Sequence, residues 1–343
     1  MENNELISNY TKPRSIDDGD ASKGKTTHLL AVPFTGLGLY SGFRGARWLK
    51  NRVKIFEQFV VPSLLNQSYK DFIVWIAWRP EERFNSIVRA LKIRLENIKE
   101  LRFVHTFSGC PIYDDKYPPT EARERLLMAI HGAMHELVNV TAGADFVLMT
   151  IQPSDDCYIK TAVEGIQSTF KQMPNLQACG FTKGYLMNNQ TLEVAEWTPE
   201  TNPPFYTIKF PRTTFINPLE HAQYTSLKHD VPNYKAGTPL PSHEWVKDCL
   251  NYGQINERGF LVGTHGENIS TIWNHPYKGE MVTDVLKDFG LENVLPLKLP
   301  FSFRRVLFSK LPHRFQRKLR YLAGEKQWIL RPLFAIIYNG LRA

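Results

Sequence analysis

Cysteine, long apolar runs and internal repetition are scarce in this chain of 343 residues, and each shortage removes a class of protein. The four cysteines, Cys110, Cys157, Cys179 and Cys249, lie far apart and form no Cys-x-x-Cys pair. They read as reduced core residues of a cytosolic protein, not as a disulfide framework or a zinc site. No run reaches the roughly 18 apolar residues of a membrane-spanning helix. Residues 1–26 are polar, carry charges of both signs and lack an apolar stretch, so they read as a disordered leader and not as a signal peptide. The Asn-x-Ser/Thr triplets at Asn66, Asn139, Asn189 and Asn268 are then chance matches. No period recurs, and Pro and Gly are scattered, which excludes collagen, coiled coils and solenoids.

The body of the chain also lacks net charge. The total of +8 comes from residues 301–343, where ten basic side chains meet one acid, Glu325, for a local charge of +9. The first 300 residues carry −1. That distribution disfavours a body coated in nucleic acid and favours a basic attachment segment. A hydrophobic content of 43% and an aromatic content of 12% are those of a chain with a large core, of one large or two small domains.

What is present is alternation. His28–Phe34 is a short apolar run, read as a buried strand, followed by a Gly-rich loop through Gly45. Helical spacing of Val53, Phe56, Phe59, Val60 and Leu64 places a helix over 47–65. Asp71–Trp78 reads as a second strand, 83–99 as a basic amphipathic helix, and Leu101–Phe107 as a third strand. A helix over 120–138, capped by Thr120, leads to a fourth strand, Asp145–Thr150. A helix at 159–171, a hairpin-like stretch at 178–194 and a Pro-rich section at 198–241 follow. A short helix at 242–252, capped by Ser242, precedes a last apolar run, Phe260–Thr264. Strands alternating with helices predict an α/β fold around a mainly parallel sheet flanked by helices, in which ligands gather at the carboxyl ends of the strands.

The polar cluster Gln152–Asp156 stands at such an end. Adjacent Asp155 and Asp156 could hold Mg²⁺ or Mn²⁺ together with a substrate phosphate. They could equally join Ser154 in capping the helix near Ile159. His265 opens a Gly- and Asn-containing loop and either completes a metal shell or is a structural imidazole. Arg123 and Arg125 suit phosphate binding, or a solvated helix face. Glu196, Glu220, Asp230 and Glu244 are carboxylates able to act as a general base. Glu244, at the start of the short helix, is the choice among them, although an acid there also suits the helix dipole.

At this point a family likeness is visible. Trp48, Arg52, Phe56-Glu57, Pro62-Ser63, Gln67, Phe72 and Trp75 follow the order of an N-terminal signature, which resembles that of a bacterial rhamnosyltransferase family, a branch of the GT-A sugar-nucleotide-dependent enzymes. Ala122-Arg123, the diacidic loop and the His-Gly-x-Asn-x-Ser run at His265–Ser270 continue it, over about residues 27–275. The resemblance implies a GT-A-like domain at 27–299 that moves a sugar from a nucleotide donor to a glycan or lipid-linked acceptor with inversion. It also implies Pro33, Arg123, Arg125, Asp155, Asp156 and Asn268 on the donor, a divalent ion on Asp155, Asp156 and His265, and Glu244 as the base. The family's acidic motif is of the Asp-x-Asp-Asp kind, and here Pro153 takes its first acidic place. The second strand's end, Trp78–Glu81, lacks an Asp that such folds offer the nucleotide, so either Glu81 or Glu82 substitutes or the donor is held differently. Trp197, Phe205, Tyr206 and Tyr224 are aromatic faces suited to sugar rings. A non-catalytic carbohydrate- or nucleotide-binding module is the rival reading, favoured by Pro153.

In residues 300–343, Phe303, Leu307 and Leu311, then Phe315, Leu319 and Leu322, keep helical spacing on either side of Pro312, with basic residues between them. Such a basic amphipathic extension suits an anionic membrane surface at the inner face, or packs on the protein's own sheet. No RNP-like or helix-turn-helix signature accompanies it, so nucleic acid is not the expected partner.

Overall fold

A computed structural model describes residues 24–35, 46–109, 132–217, 246–265 and 273–299. Most of the expected leader, the Gly-rich loop and the basic extension lie outside the described residues. Strand β1 (Thr26–Val32) is flanked by parallel partners, β2 (Ile73–Ala77) on one side and β4 (Phe146–Ile151) on the other. Strand β3 (Arg102–Thr106) continues the parallel order beyond β2. Because both faces of β1 are covered, its run Leu29–Val32 is apolar without alternation. Leu30, Val32 and Phe34 pack on one side with helix α1 (Ala46–Ile55) and helix α3 (Ser86–Glu96). Leu29 and Ala31 pack on the other, with Trp75, Leu137 and Phe215.

Helix α1 does not stop where a proline approaches. It passes through a wider π-helical turn, Phe56–Val60, into α2 (Val61–Leu65). Pro62 falls in the first turn of α2, where its missing N–H costs least. Helix α3 starts cleanly because the Asn85 side chain accepts the Ile87 amide at 2.9 Å.

The remainder of the sheet departs from the mainly parallel expectation: the sheet is mixed. Strand β5 (Cys157–Tyr158) and helix α4 (Ala162–Gln172) follow β4. Strand β6 (Ala178–Asn188) forms a hairpin with β7 (Val194–Trp197), as the sequence predicts. The Pro-rich section conceals β8 (Tyr206–Pro211) and the short helix α5 (Arg212–Ile216), and β8 lies antiparallel between β4 and β6. The expected helix over 242–252 is also corrected at its end: among the described residues α6 covers Val246–Cys249, and Tyr252 already begins β9 (Tyr252–Thr264). Its first half alternates, with Gly253 and Ile255 inward and Gln254 and Asn256 outward, which hides a strand behind polar residues. Strand β9 runs parallel to β6 along its length and also pairs with β5. With one edge of β6 taken by β9, β8 and β7 share the other, at residues 178–180 and 184–187 respectively. Strand β10 (Lys278–Val282) closes the far edge on β7. Cys157 and Cys179 are free and buried, as read from their spacing.

One polar chain crosses this core. Buried His28 meets the Thr150 hydroxyl through Nε2 at 2.7 Å and the Gln167 amide nitrogen through Nδ1 at 2.9 Å. An amide nitrogen only donates, so Nδ1 accepts, and Nε2–H donates to Thr150. Thr150 in turn meets Thr207 at 2.6 Å. Burial lowers the His28 pKa to about 3. The unfolded chain takes up this proton near pH 6.5 and the folded chain does not until about pH 3. The stability tied to this difference is therefore complete above pH 6.5 and declines as pH falls toward 3. His28→Gln, compared with the parent by urea unfolding at pH 7 and pH 5, is expected to be less stable at pH 7. It is also expected to lose about 2 kcal/mol less on acidification. Equal acid losses in the two proteins would count against it.

Candidate functional site

The acidic loop begins where β4 stops. The Gln152 amide still donates to the Ala31 carbonyl at 2.9 Å, extending the parallel pairing by one step. The Gln152 side chain then turns back and donates to the carbonyls of Pro153 at 2.9 Å and Asp156 at 2.8 Å. The Tyr158 hydroxyl donates to the Ile151 carbonyl at 2.8 Å, so both ends of the loop are held. This places Asp155 and Asp156 at the carboxyl end of the parallel half, beside β1.

The two carboxylates have different partners. Asp155 Oδ2 forms an ion pair with Arg52 Nη1 and lies 3.1 Å from His265 Nε2. The side chains of Arg52 and Asp155 are only 7% and 14% exposed. Asp156 instead accepts the Gly263 amide on Oδ1 at 3.0 Å. Burial alone would raise the pKa of Asp155, but the Arg52 charge and the His265 bond hold it below the usual carboxylate range. Burial, then the charge of Asp155, pushes Asp156 well above that range. Gly263 is required at its place: a Cβ there would stand 2.7 Å from the Asp155 carbonyl and about 3 Å from the Asn189 side-chain amide.

Arg52 is presented by α1, with its guanidinium carbon 5.2 Å from the centre of the Trp48 ring one turn earlier. Two more residues of the N-terminal signature hold the same region. Ser63 Oγ accepts the Tyr158 amide at 3.3 Å. Gln67 donates to the carbonyls of Tyr158 at 3.3 Å and Ile159 at 2.9 Å, and accepts the Val163 amide at 3.1 Å. The signature thus encodes a helix clamped to the segment that carries the acids.

The other expected site residues fall differently. Pro33 is half-buried at the carboxyl end of β1. Beyond it, buried Glu82 bonds to the Thr35 hydroxyl and pairs with Arg79 at 2.8 Å, which commits it to structure, while Glu81 is exposed. Arg123, Arg125, Glu220, Tyr224, Asp230, Glu244 and Asn268 lie outside the described residues. Glu196 pairs with Arg258. The aromatic faces of Trp197 and Phe205 do not wait for a sugar: Phe205 stacks on Phe260 at 4.0 Å, and Trp197 meets the same ring edge-on. Both belong to the core beneath α4.

The residues expected to hold a divalent ion are near one another, yet they do not fit one as arranged. Asp155 Oδ2 already carries a guanidinium and an imidazole, Asp156 Oδ1 carries an amide, and Pro153 supplies no ligand. Among the described residues no three His, Cys, Asp or Glu side chains gather into a cluster able to bind a metal. Sequence reasoning gave no role to Arg52, although its position one helical turn from both Leu49 and Phe56 puts a charge on the apolar face of α1. Gln152, read only as the start of the polar cluster, and Asn189, read as a chance Asn-x-Ser/Thr match, were likewise given no role. Gln152 Oε1, Arg52 Nε and both amide atoms of Asn189 are buried without a hydrogen-bond partner among the described residues.

No family model matches the chain, and no curated protein matches its sequence. Among solved structures, S. aureus TarS is similar at 12% identity and a TM-score of 0.36, over 70% of this chain and 37% of that one. The chain thus spans about a third of that protein's length. A structure of S. aureus TarS 1–349 is similar at 9% identity and a TM-score of 0.35, over 88% of this chain and 73% of that one. A protein of Desulfovibrio desulfuricans G20, described as a nucleotide-diphospho-sugar transferase, is similar at 11% identity and a TM-score of 0.32, over 68% and 81%.

The Arg52–Asp155 pair has a measurable signature. Arg52→Gln and Asp155→Asn each strand a buried charge and are expected to cost about 3 kcal/mol or more in urea unfolding. The double variant, which removes both charges, is expected to cost at least about 1 kcal/mol less than the sum. Additive losses would show that the two groups are not coupled.

Proposed function

We propose that the protein transfers a sugar from a nucleotide-sugar donor to a glycan or lipid-linked acceptor, on a fold of the GT-A kind. The observation that carries this reading is the buried acidic loop at the carboxyl end of β4, clamped to α1 and α2 by the signature residues Arg52, Ser63 and Gln67. Rhamnose as the transferred sugar follows only from the likeness of the signature. In the reaction, an acceptor hydroxyl attacks the anomeric carbon on the face opposite the nucleoside diphosphate. The new oxygen–carbon bond forms as the carbon–phosphate-oxygen bond breaks, and its electron pair leaves on the diphosphate. The hydroxyl proton passes to a carboxylate, for which Glu244 is proposed, and the anomeric centre is inverted. Pro33, Arg123, Arg125 and Asn268 are proposed donor contacts. A divalent ion at the acidic loop is part of the family pattern, but Asp155 Oδ2 and Asp156 Oδ1 are already engaged there and Pro153 supplies no ligand, so no step is assigned to one.

The rival reading is a binding module without turnover, favoured by Pro153 in the first acidic place and by the engaged Asp155 carboxylate. Release of nucleoside diphosphate, followed over a panel of nucleotide sugars with and without Mn²⁺, separates the two. The transferase reading expects turnover with at least one donor and a loss of tenfold or more, roughly, in Asp156→Ala. Saturable donor binding without turnover across the panel would instead establish the module.

The basic segment 300–343 is proposed to hold the protein at the anionic inner face of a membrane, where a lipid-linked acceptor would be met. No helix among the described residues is long and apolar enough to cross one. The full chain is expected to sediment with anionic vesicles in a salt-sensitive way, and a chain lacking residues 301–343 to stay in solution. Equal sedimentation of both would end the attachment reading.

A further inference from the structure

Arg52 has features that stability alone does not account for. A buried ion pair usually contributes little net stability, because desolvating two charges offsets their attraction. Here one is kept at the ligand end of the sheet, on the carboxylate that a metal ion would have needed. The guanidinium is fixed by Asp155 through Nη1 and has the Trp48 ring nearby, while its Nε–H finds no acceptor among the described residues. Other unsatisfied groups belong to the segments that hold the acids. Gln152 Oε1 belongs to the same loop, and the Asn189 amide abuts Gly263, whose N–H serves Asp156. Buried polar atoms without partners are rare, and the donors among these, Arg52 Nε–H and the Asn189 amide N–H, are groups whose bonding a phosphate oxygen would complete.

We infer that Arg52 is the resident cation of the donor site: it takes the position of a divalent ion beside Asp155 and binds the diphosphate of the nucleotide sugar. This rests on the donor reading above and adds how the donor's charge is met. The planar guanidinium is suited to the task because it offers several N–H groups in one fork, so Nη1 can stay on Asp155 while the others face phosphate oxygens. Asp155 then acts as a positioning residue that aims the fork, and His265, on the same carboxylate oxygen, helps to keep Asp155 oriented. As the anomeric bond breaks, the charge growing on the departing diphosphate meets a cation that is already in place and already desolvated.

The test is binding of UDP, GDP, dTDP and ADP to the full chain by calorimetry, in EDTA and in Mn²⁺. The inference expects at least one of them to bind in EDTA, with Mn²⁺ changing the affinity by less than about threefold. Arg52→Gln combined with Asp155→Asn, which leaves no stranded charge, is expected to keep a cooperative thermal transition and lose roughly tenfold or more in affinity. The same double variant is expected to bind the parent nucleoside as the unaltered protein does, since only the phosphates are concerned. Equal loss of nucleoside and diphosphate would show a collapsed pocket and overturn the inference. Diphosphate binding that requires Mn²⁺ and ignores the double variant would also overturn it, yet leave the transferase reading standing. Binding of no nucleotide under either condition would remove both.

Discussion

A charge taken out of water must find a partner, and in this protein that requirement ties three distant parts of the chain together. Arg52 on α1 needs Asp155, and His265 at the end of β9 meets the same carboxylate oxygen. Asp156, next in sequence, is held by the Gly263 amide two residues before His265. The acidic loop has little freedom as a result. Its backbone is closed by Gln152 and Tyr158, its first carboxylate by a helix, and its second by a strand. Neutral contacts from Ser63 and Gln67 extend the clamp into β5 and the start of α4.

The sheet explains why this meeting happens at one edge of the molecule's parallel half. Strands β3, β2, β1 and β4 all run the same way, so their carboxyl ends lie together. Beyond β4 the direction reverses in β8, and β6 bridges to β9, whose far end delivers Gly263 and His265 beside the acids. Antiparallel pairing of β8 with β4 is thus what allows a strand from late in the chain to reach a loop made much earlier.

The parallel half was legible in sequence because strands covered on both faces carry unbroken apolar runs, and Leu29–Val32 of β1, Ile73–Ala77 of β2 and Phe146–Met149 of β4 carry that mark. The acidic loop was legible because two carboxylates follow a buried strand. The partnership of Asp155 with His265 was anticipated as metal chemistry and is seen as a hydrogen bond beside an arginine. Strands β8 and β9 were obscured for different reasons. Prolines surround Tyr206–Pro211, and the outward residues Gln254, Asn256 and Glu257 make half of β9 look like a loop. Trp197 and Phe205 were read by chemical type alone, and type does not separate a sugar platform from a packed ring. Arg52 had a visible cue, a charge on the apolar face of its helix, but nothing in one sequence names the partner it seeks.

The bonds at the site also set when it can exist. Asp155 and His265 are 110 positions apart, Asp156 and Gly263 are 107 apart, and Ser63 and Tyr158 are 95 apart. During synthesis the parallel strands can collapse once β4 has emerged, yet for about a hundred further residues the acids lack their late partners. At ribosomal speeds of about 5–20 residues per second, that interval lasts several seconds or more. The nascent chain must carry an incompletely neutralised acidic loop through that time, and the long loops it has to close make this region slow to form. The site is thus completed only after β9 has emerged, and an interrupted chain that stops before β9 holds a partial sheet without a finished centre.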